Sequence, residues 1–194
     1  MLGIGVVIAS YMIGSIPFSF LVSAWFAKRD IRKHGSGNVG STNVLRTMGT
    51  KYAALAMLGD VLKGVAAAWL GMYIGGGIWI LLCSAAAVIG HCFPLFLKMK
   101  GGKGVATSAG VLIYLVPSVL GTLVVIFVGT VLIWRRVSLG SIMAALFAPF
   151  VTILMYPDNS YLIGVAFVLP LIVIIRHKDN IKRLINGTEP KIGE

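Results

Sequence analysis

Charge is scarce in this 194-residue chain, and acid is scarcer still. Only 12% of residues are charged and only six of them are Asp or Glu, against ~25% charge in an ordinary soluble domain. A soluble fold of this size cannot hide a composition that is 58% hydrophobic, so the bilayer must be the solvent for most of it. The acids of the polar segments (Asp30, Asp179, Glu189 and Glu194) are scattered, which argues against a metal centre. There are two cysteines, Cys83 and Cys92, both in one apolar stretch; this excludes a disulfide framework and zinc-ligand spacing. The N-terminus lacks the basic region of a signal peptide. Its first apolar run therefore reads as a retained helix with the N-terminus outside.

What charge there is falls into clusters. Lys28, Arg29, Arg32, Lys33, Arg46 and Lys51 form one group; Lys98, Lys100 and Lys103 a second; Arg135 and Arg136 a third; Arg176, Lys178, Lys182, Arg183 and Lys191 a fourth. Lys63 alone stands apart. Discrete basic clusters between apolar runs mark the cytoplasmic ends of membrane helices, not a nucleic-acid footprint. The apolar runs predict an all-α integral membrane protein of about seven helices, at 3–27, 52–73, 77–97, 104–117, 119–134, 139–156 and 159–176. One long helix over 105–133 is the competing reading; it would put Arg135 and Arg136 outside, against the positive-inside rule. Seven helices put every basic cluster and the C-terminus in the cytoplasm. No repeat or linker interrupts the chain, which reads as a single polytopic domain over 1–194 with polar segments at 28–51, 98–108 and 176–191.

The first of these contains Gly35, Gly37 and Gly40 in a GxGxxG pattern. A Rossmann reading fails because no strand precedes it. Glycine-rich backbone can nevertheless aim successive N–H groups at one anion, and Ser41 or Thr42 can cap a short helix whose N-terminus favours phosphate. Arg46 adds a planar, two-pronged phosphate donor. In the second segment, Lys100-Gly101-Gly102-Lys103-Gly104 opens a helix that carries Thr107 and Ser108, again an anion-binding arrangement. The bland alternative for both is a basic, flexible interfacial turn. In the third, His177 and Asn180 share a face if the last helix continues, and Gly187 and Pro190 end it. Asp60 and Lys63, three apart inside an apolar run, read as a structural ion pair, and His91 as a buried hydrogen-bonding residue.

These three segments, in this order, resemble the signature of the PlsY family, the bacterial acyl-phosphate:glycerol-3-phosphate acyltransferases. Gly90-His91-Cys92-Phe93-Pro94 and Ser138-Leu139-Gly140-Ser141 are similar to further family blocks, while Ser41 stands where a small residue such as Ala is expected. The resemblance implies transfer of a fatty acyl group from acyl phosphate to the sn-1 hydroxyl of glycerol 3-phosphate. The products are lysophosphatidic acid and inorganic phosphate. It implies the cytoplasmic face of the bacterial inner membrane, membrane lipids as neighbours, and neither metal nor cofactor. It assigns Ser36, Arg46, Lys103, His177 and Asn180 to catalysis, with Arg46 and Lys103 on phosphate charge. Gly37, Asn38, Gly40, Thr42, Asn43, Gly101, Gly102, Gly104, Thr107 and Ser141 fall to substrate and phosphate binding. The HxxxxD pair of thioester-dependent acyltransferases is missing, since His34, His91 and His177 are followed five residues on by Val39, Phe96 and Lys182. A rival class, a small transporter for a phosphorylated solute, places polar sites at mid-membrane, often on inverted repeats; here polar residues gather at one face. No motif identifies a protein partner.

Overall fold

The computed structural model describes residues 1–193; Glu194 lies outside the described residues. Among these the chain is helical, with no strand. In lipid every backbone polar group must find its partner within the protein, and a helix supplies that locally. The order is α1 Leu2–Gly14, α2 Phe18–Ala27, α3 Ser41–Met48, α4 Thr50–Tyr73, α5 Ile78–Cys92, α6 Val105–Leu115, α7 Pro117–Trp134, α8 Val137–Met155, α9 Ser160–Arg176 and α10 Lys178–Ile185.

All seven apolar runs form helix. The first is broken into α1 and α2 at Ser15-Ile16-Pro17, because Pro17 has no N–H to continue the ladder. Five stretches are long and apolar enough to cross a bilayer: Leu2–Ala27, Thr50–Tyr73, Ile78–Leu97, Pro117–Trp134 and Val137–Met155. α9 reaches that length only together with α10, across a bend of 61°. α9 supplies the apolar part of that pair, and the polar, basic, amphipathic α10 bends away from its end. α6 has 11 residues, ~16 Å of helix against a ~30 Å hydrocarbon core. The uninterrupted helix over 105–133 does not form: Val116 leaves helical geometry (φ −149°, ψ 71°) and Pro117 starts α7 at its first position.

Close helix approach brings the polar ends together. Gly64 of α4 lies on the backbone of Thr107, and Gly110 of α6 on the backbone of Val61, so any side chain at either position would strike main chain. α4 therefore holds α6, and with it the segment 98–104 that leads into α6. The C-terminal residues strap across the α7–α8 turn: Ile192 N donates to Arg135 O at 2.7 Å, and Arg135 Nη2 to Ile192 O at 3.0 Å.

Candidate active site

The loop before α3 is shaped by Asn43, which is 2% exposed. Its Oδ1 accepts from Ser36 N at 2.9 Å, and its Nδ2 donates to His34 O at 3.0 Å and Asn38 O at 3.1 Å. Gly35 and Gly37 take left-handed φ of 57° and 70° to make that turn. Asn43 thus braces its own loop with its amide, at the edge of the cavity it helps to line. Gly40 caps α3, without a side-chain hydrogen bond from Ser41 or Thr42; those two residues line the cavity instead, together with Ser36, Gly37, Asn38, Gly40 and Arg46.

The second segment is clamped from two sides. Gly101 N donates to Cys92 O at 3.2 Å and Gly102 N to His91 O at 3.1 Å. From the opposite side Arg176 donates Nε to Gly102 O at 3.2 Å and Nη2 to Gly101 O at 3.3 Å. Gly101 and Gly102 therefore serve close packing and are not on the cavity wall, whereas Gly104, with φ 86°, opens α6 at the wall. Thr107, expected beside the phosphate, is fully buried where its backbone meets Gly64 of α4, and is absent from the cavity wall; Ser108, the next residue, is on it.

Lys103 projects from this clamp, and its Nζ donates to Asn180 Oδ1 at 2.6 Å. Asn180 Nδ2 donates to Glu189 Oε1 at 2.7 Å. The same carboxylate accepts from Ser138 Oγ at 2.6 Å and from Arg183 Nε at 2.7 Å. Burial works against ionised Glu189, but the bonds from Ser138, Asn180 and Arg183 outweigh it and hold its pKa below the ordinary value. Burial, with Arg183, Arg46 and Arg176 nearby, pushes Lys103 down to about 8 against the pull of Glu189. His177 sits at the α9–α10 bend, where the helix does not continue straight; it is 2% exposed and its Nδ1 donates to Val173 O at 2.7 Å. Burial lowers it to about 4, so at neutral pH it is an uncharged ring whose Nε2 has no partner among the described residues. Ser141 also lines the wall, although its hydroxyl donates to Val137 O at 3.0 Å. Glu189 and Ser138 join the site here, although neither is among the residues that the motifs assign to it.

All three segments thus wall one cavity of about 820 Å³. Its polar end carries Arg46, Lys103, Arg176, Lys178 and Arg183 against Asp60, Asp179 and Glu189. Asp60 is paired with Lys63 and Glu189 with Arg183, which leaves positive charge in surplus. The cavity continues between α6, α7, α8 and α9 along an apolar wall that includes Leu112, Leu123, Phe127, Ala145 and Leu169. It can therefore hold a phosphorylated head at one end and a hydrocarbon tail at the other.

The profile of the glycerol-3-phosphate acyltransferase family matches residues 4–187. The chain belongs to that family. It is 48% identical to a glycerol-3-phosphate acyltransferase of Syntrophomonas wolfei over 182 residues, covering 94% of this chain and 93% of that protein. To the Bacillus subtilis glycerol-3-phosphate acyltransferase it is 42% identical over 186 residues, 96% of this chain and 95% of the relative. The crystal structure of PlsY, an integral membrane glycerol 3-phosphate acyltransferase in its glycerol 3-phosphate form, superposes with a TM-score of 0.93 at 36% identity, covering 100% of this chain and 96% of that one. Its lysophosphatidic acid form gives 0.92 at 35% identity with the same coverage.

Proposed function

We propose that this protein transfers the acyl group of an acyl phosphate to the sn-1 hydroxyl of glycerol 3-phosphate, releasing lysophosphatidic acid and inorganic phosphate. The observation that carries the reading is the surplus of cations at one end of a cavity whose other end is apolar. Both substrates are phosphate esters or anhydrides, and donor and product each carry a fatty chain. The solved PlsY forms, one with glycerol 3-phosphate and one with lysophosphatidic acid, support the same acceptor and product. The site opens on the cytoplasmic face of the bacterial inner membrane, where the basic clusters would lie.

The glycerol hydroxyl oxygen attacks the acyl carbonyl carbon, and the carbon–oxygen bond to the phosphate breaks. An acyl phosphate is activated already, so the enzyme must position the two substrates and neutralise charge on the departing phosphate. Arg46 and Lys103 supply that charge, and Lys103 is aimed by its bond to Asn180. Ser36 and Thr42 bond phosphate oxygens at the wall. His177, held neutral with Nε2 unpartnered, accepts a hydrogen bond from the attacking hydroxyl and orients it. So weak a base is a poor final proton holder; the proton passes to the leaving phosphate. No acyl-enzyme is needed, and neither buried cysteine reaches the cavity wall.

Purified protein in phospholipid vesicles, given palmitoyl phosphate and glycerol 3-phosphate, is expected to form lysophosphatidic acid without added metal. Absence of that product would overturn the reading, as would equal turnover with palmitoyl-CoA.

A further inference from the structure

A buried polar chain runs from the α1–α2 break to the segment that carries Lys103. Lys63 Nζ donates to Ile16 O at 3.0 Å, within the break, and to Asp60 Oδ1 at 2.7 Å. The same Asp60 oxygen accepts from His91 Nδ1 at 3.2 Å. The Asp60, Lys63 and His91 side chains are 2%, 2% and 7% exposed. At the far end of the chain, His91 O accepts from Gly102 N. The His91 ring lies flush against Gly102: a Cβ there would run into Nε2 on one side and sit 2.8 Å from Val39 O on the other. Gly102 has no left-handed φ, so this close approach alone demands glycine. His91 thus fixes the segment before Lys103, which at Gly102 also lies close to Val39 O of the first motif.

We infer that Asp60 and His91 are positioning residues of the acyl transfer, a strut that sets the height and direction of Lys103 at the polar end of the cavity. Three observations separate this from helix-to-helix glue. Burying such a triad is costly, and apolar side chains of similar volume would join α4 to α5 at least as well. Asp60 and His91 both reach the wall of the substrate cavity. The residue held by the His91 carbonyl and ring, Gly102, is the immediate neighbour of Lys103. Asp60 fixes the imidazole: with Nδ1 committed to the Asp60 carboxylate, the ring has one orientation. Arg176 clamps the same segment from the opposite side, so loss of His91 would leave a hinge, not an unfolded loop.

The inference rests on Lys103 being a phosphate ligand, and the test separates the two. The variant Asp60→Asn/Lys63→Met removes both charges at once and strands neither. Its kcat/KM is compared with the parent in two backgrounds, native and Lys103→Ala. If the strut acts through Lys103, the loss is at least tenfold in the native background and under twofold in Lys103→Ala. Equal losses in both backgrounds overturn the strut and leave the phosphate reading standing; a fully active Lys103→Ala overturns both. Should the double variant fail to elute as a folded species, His91→Asn and His91→Leu decide. The Asn amide can still donate to Asp60, so it should retain at least fivefold more kcat/KM than Leu, with matched thermal stability. Equal activity in the two sinks the strut.

Discussion

Lys103 reaches Glu189 only through Asn180, whose amide accepts from the lysine at 2.6 Å and donates to the carboxylate at 2.7 Å. That orientation makes the relay directional. The carboxylate fixes which end of the Asn180 amide faces Lys103, and the amide then draws the ammonium into place without neutralising it. A carboxylate in direct contact would cancel the charge that a phosphate needs.

Glu189→Gln tests the relay. It keeps the shape but removes the charge that holds Asn180 in register. Hydrogen bonds to charged groups contribute ~1.5–3 kcal/mol, so kcat/KM should fall about tenfold to a hundredfold. Ser138 can still donate to the glutamine amide oxygen, and Arg183, the charged partner, has a side chain 41% exposed and can be solvated by water, so the melting temperature should move little. A large drop in melting temperature with kcat/KM of the surviving fraction unchanged would make Glu189 a fold residue only.

The lowered pKa of Lys103 predicts opposite pH trends for activity and stability. Activity needs the charged form, so kcat/KM should fall as pH rises through about 8. Stability runs the other way. Between about 8 and the ordinary lysine value of 10.5 the unfolded chain holds a proton that the folded one has released, so this residue makes folding more favourable as pH rises there. Bound substrate phosphate should stabilise the ammonium, so the alkaline limb of kcat should lie above that of kcat/KM. Lys103→Arg should remove it from this range altogether. An alkaline limb unchanged in Lys103→Arg would assign it to another group.

Much of this was readable from residue order, for a physical reason. Hydropathy and Pro117 mark the apolar helices because lipid forces backbone bonds to close locally, and glycines with basic residues mark the loops. Side-chain direction was not readable. Asn43 looks like any polar motif residue until its amide is found bonded across its own loop. Thr107 and Ser108 are adjacent, yet only the packing of α6 on α4 sends one inward and the other to the cavity. Glu189 lies beyond the end of α10, in a segment that reads as a basic tail. It arrives at Asn180 only because Gly187, at φ 73°, turns the chain back. The Asp60–Lys63 pair was legible as a pair, but its link through His91 to Gly102 needed three elements in space.

Orientation is open to direct measurement. In a chain with Cys83 and Cys92 replaced by Ala, single cysteines go at exposed Asp158, in the α8–α9 turn, and at exposed Lys182, on α10. A membrane-impermeant maleimide should reach position 158 from outside intact cells and position 182 only after lysis. Labelling of both from the same side would defeat the cytoplasmic placement of the site.

The apolar wall predicts a gauge of chain length. Ala145 of α8 is 8% exposed and lines the cavity. Phe there adds volume where a long acyl chain would pass, and overpacking costs ~1–3 kcal/mol. Ala145→Phe should therefore lower kcat/KM for a sixteen-carbon donor about tenfold or more, and far less for an eight-carbon one. Equal losses for both donors would mean that the chain takes another path.

Arg46 separates phosphate chemistry from topology. It is exposed on α3 at the cavity wall, and no hydrogen bond or ion pair to another described residue occupies its guanidinium. As a purely topological charge it would be replaceable by lysine. As a phosphate ligand it would not, because lysine keeps the charge but loses the planar two-pronged donor. Arg46→Lys should therefore lower kcat/KM at least about tenfold, a loss of ~1.4 kcal/mol, with normal membrane insertion. Lys103→Ala should lose more, ~3 kcal/mol if it meets charge developing on the leaving phosphate. Lys33→Ala, an exposed base of the same cluster that is absent from the cavity wall, should keep parental kinetics. Arg135 is the poorer control, since it ties down the C-terminal strap through Ile192. Steady-state kinetics on the three purified variants, matched for elution profile and melting temperature, make the comparison. If Arg46→Lys and Lys103→Ala behave like Lys33→Ala, neither residue meets phosphate, and the surplus of positive charge serves only to orient the protein in its membrane.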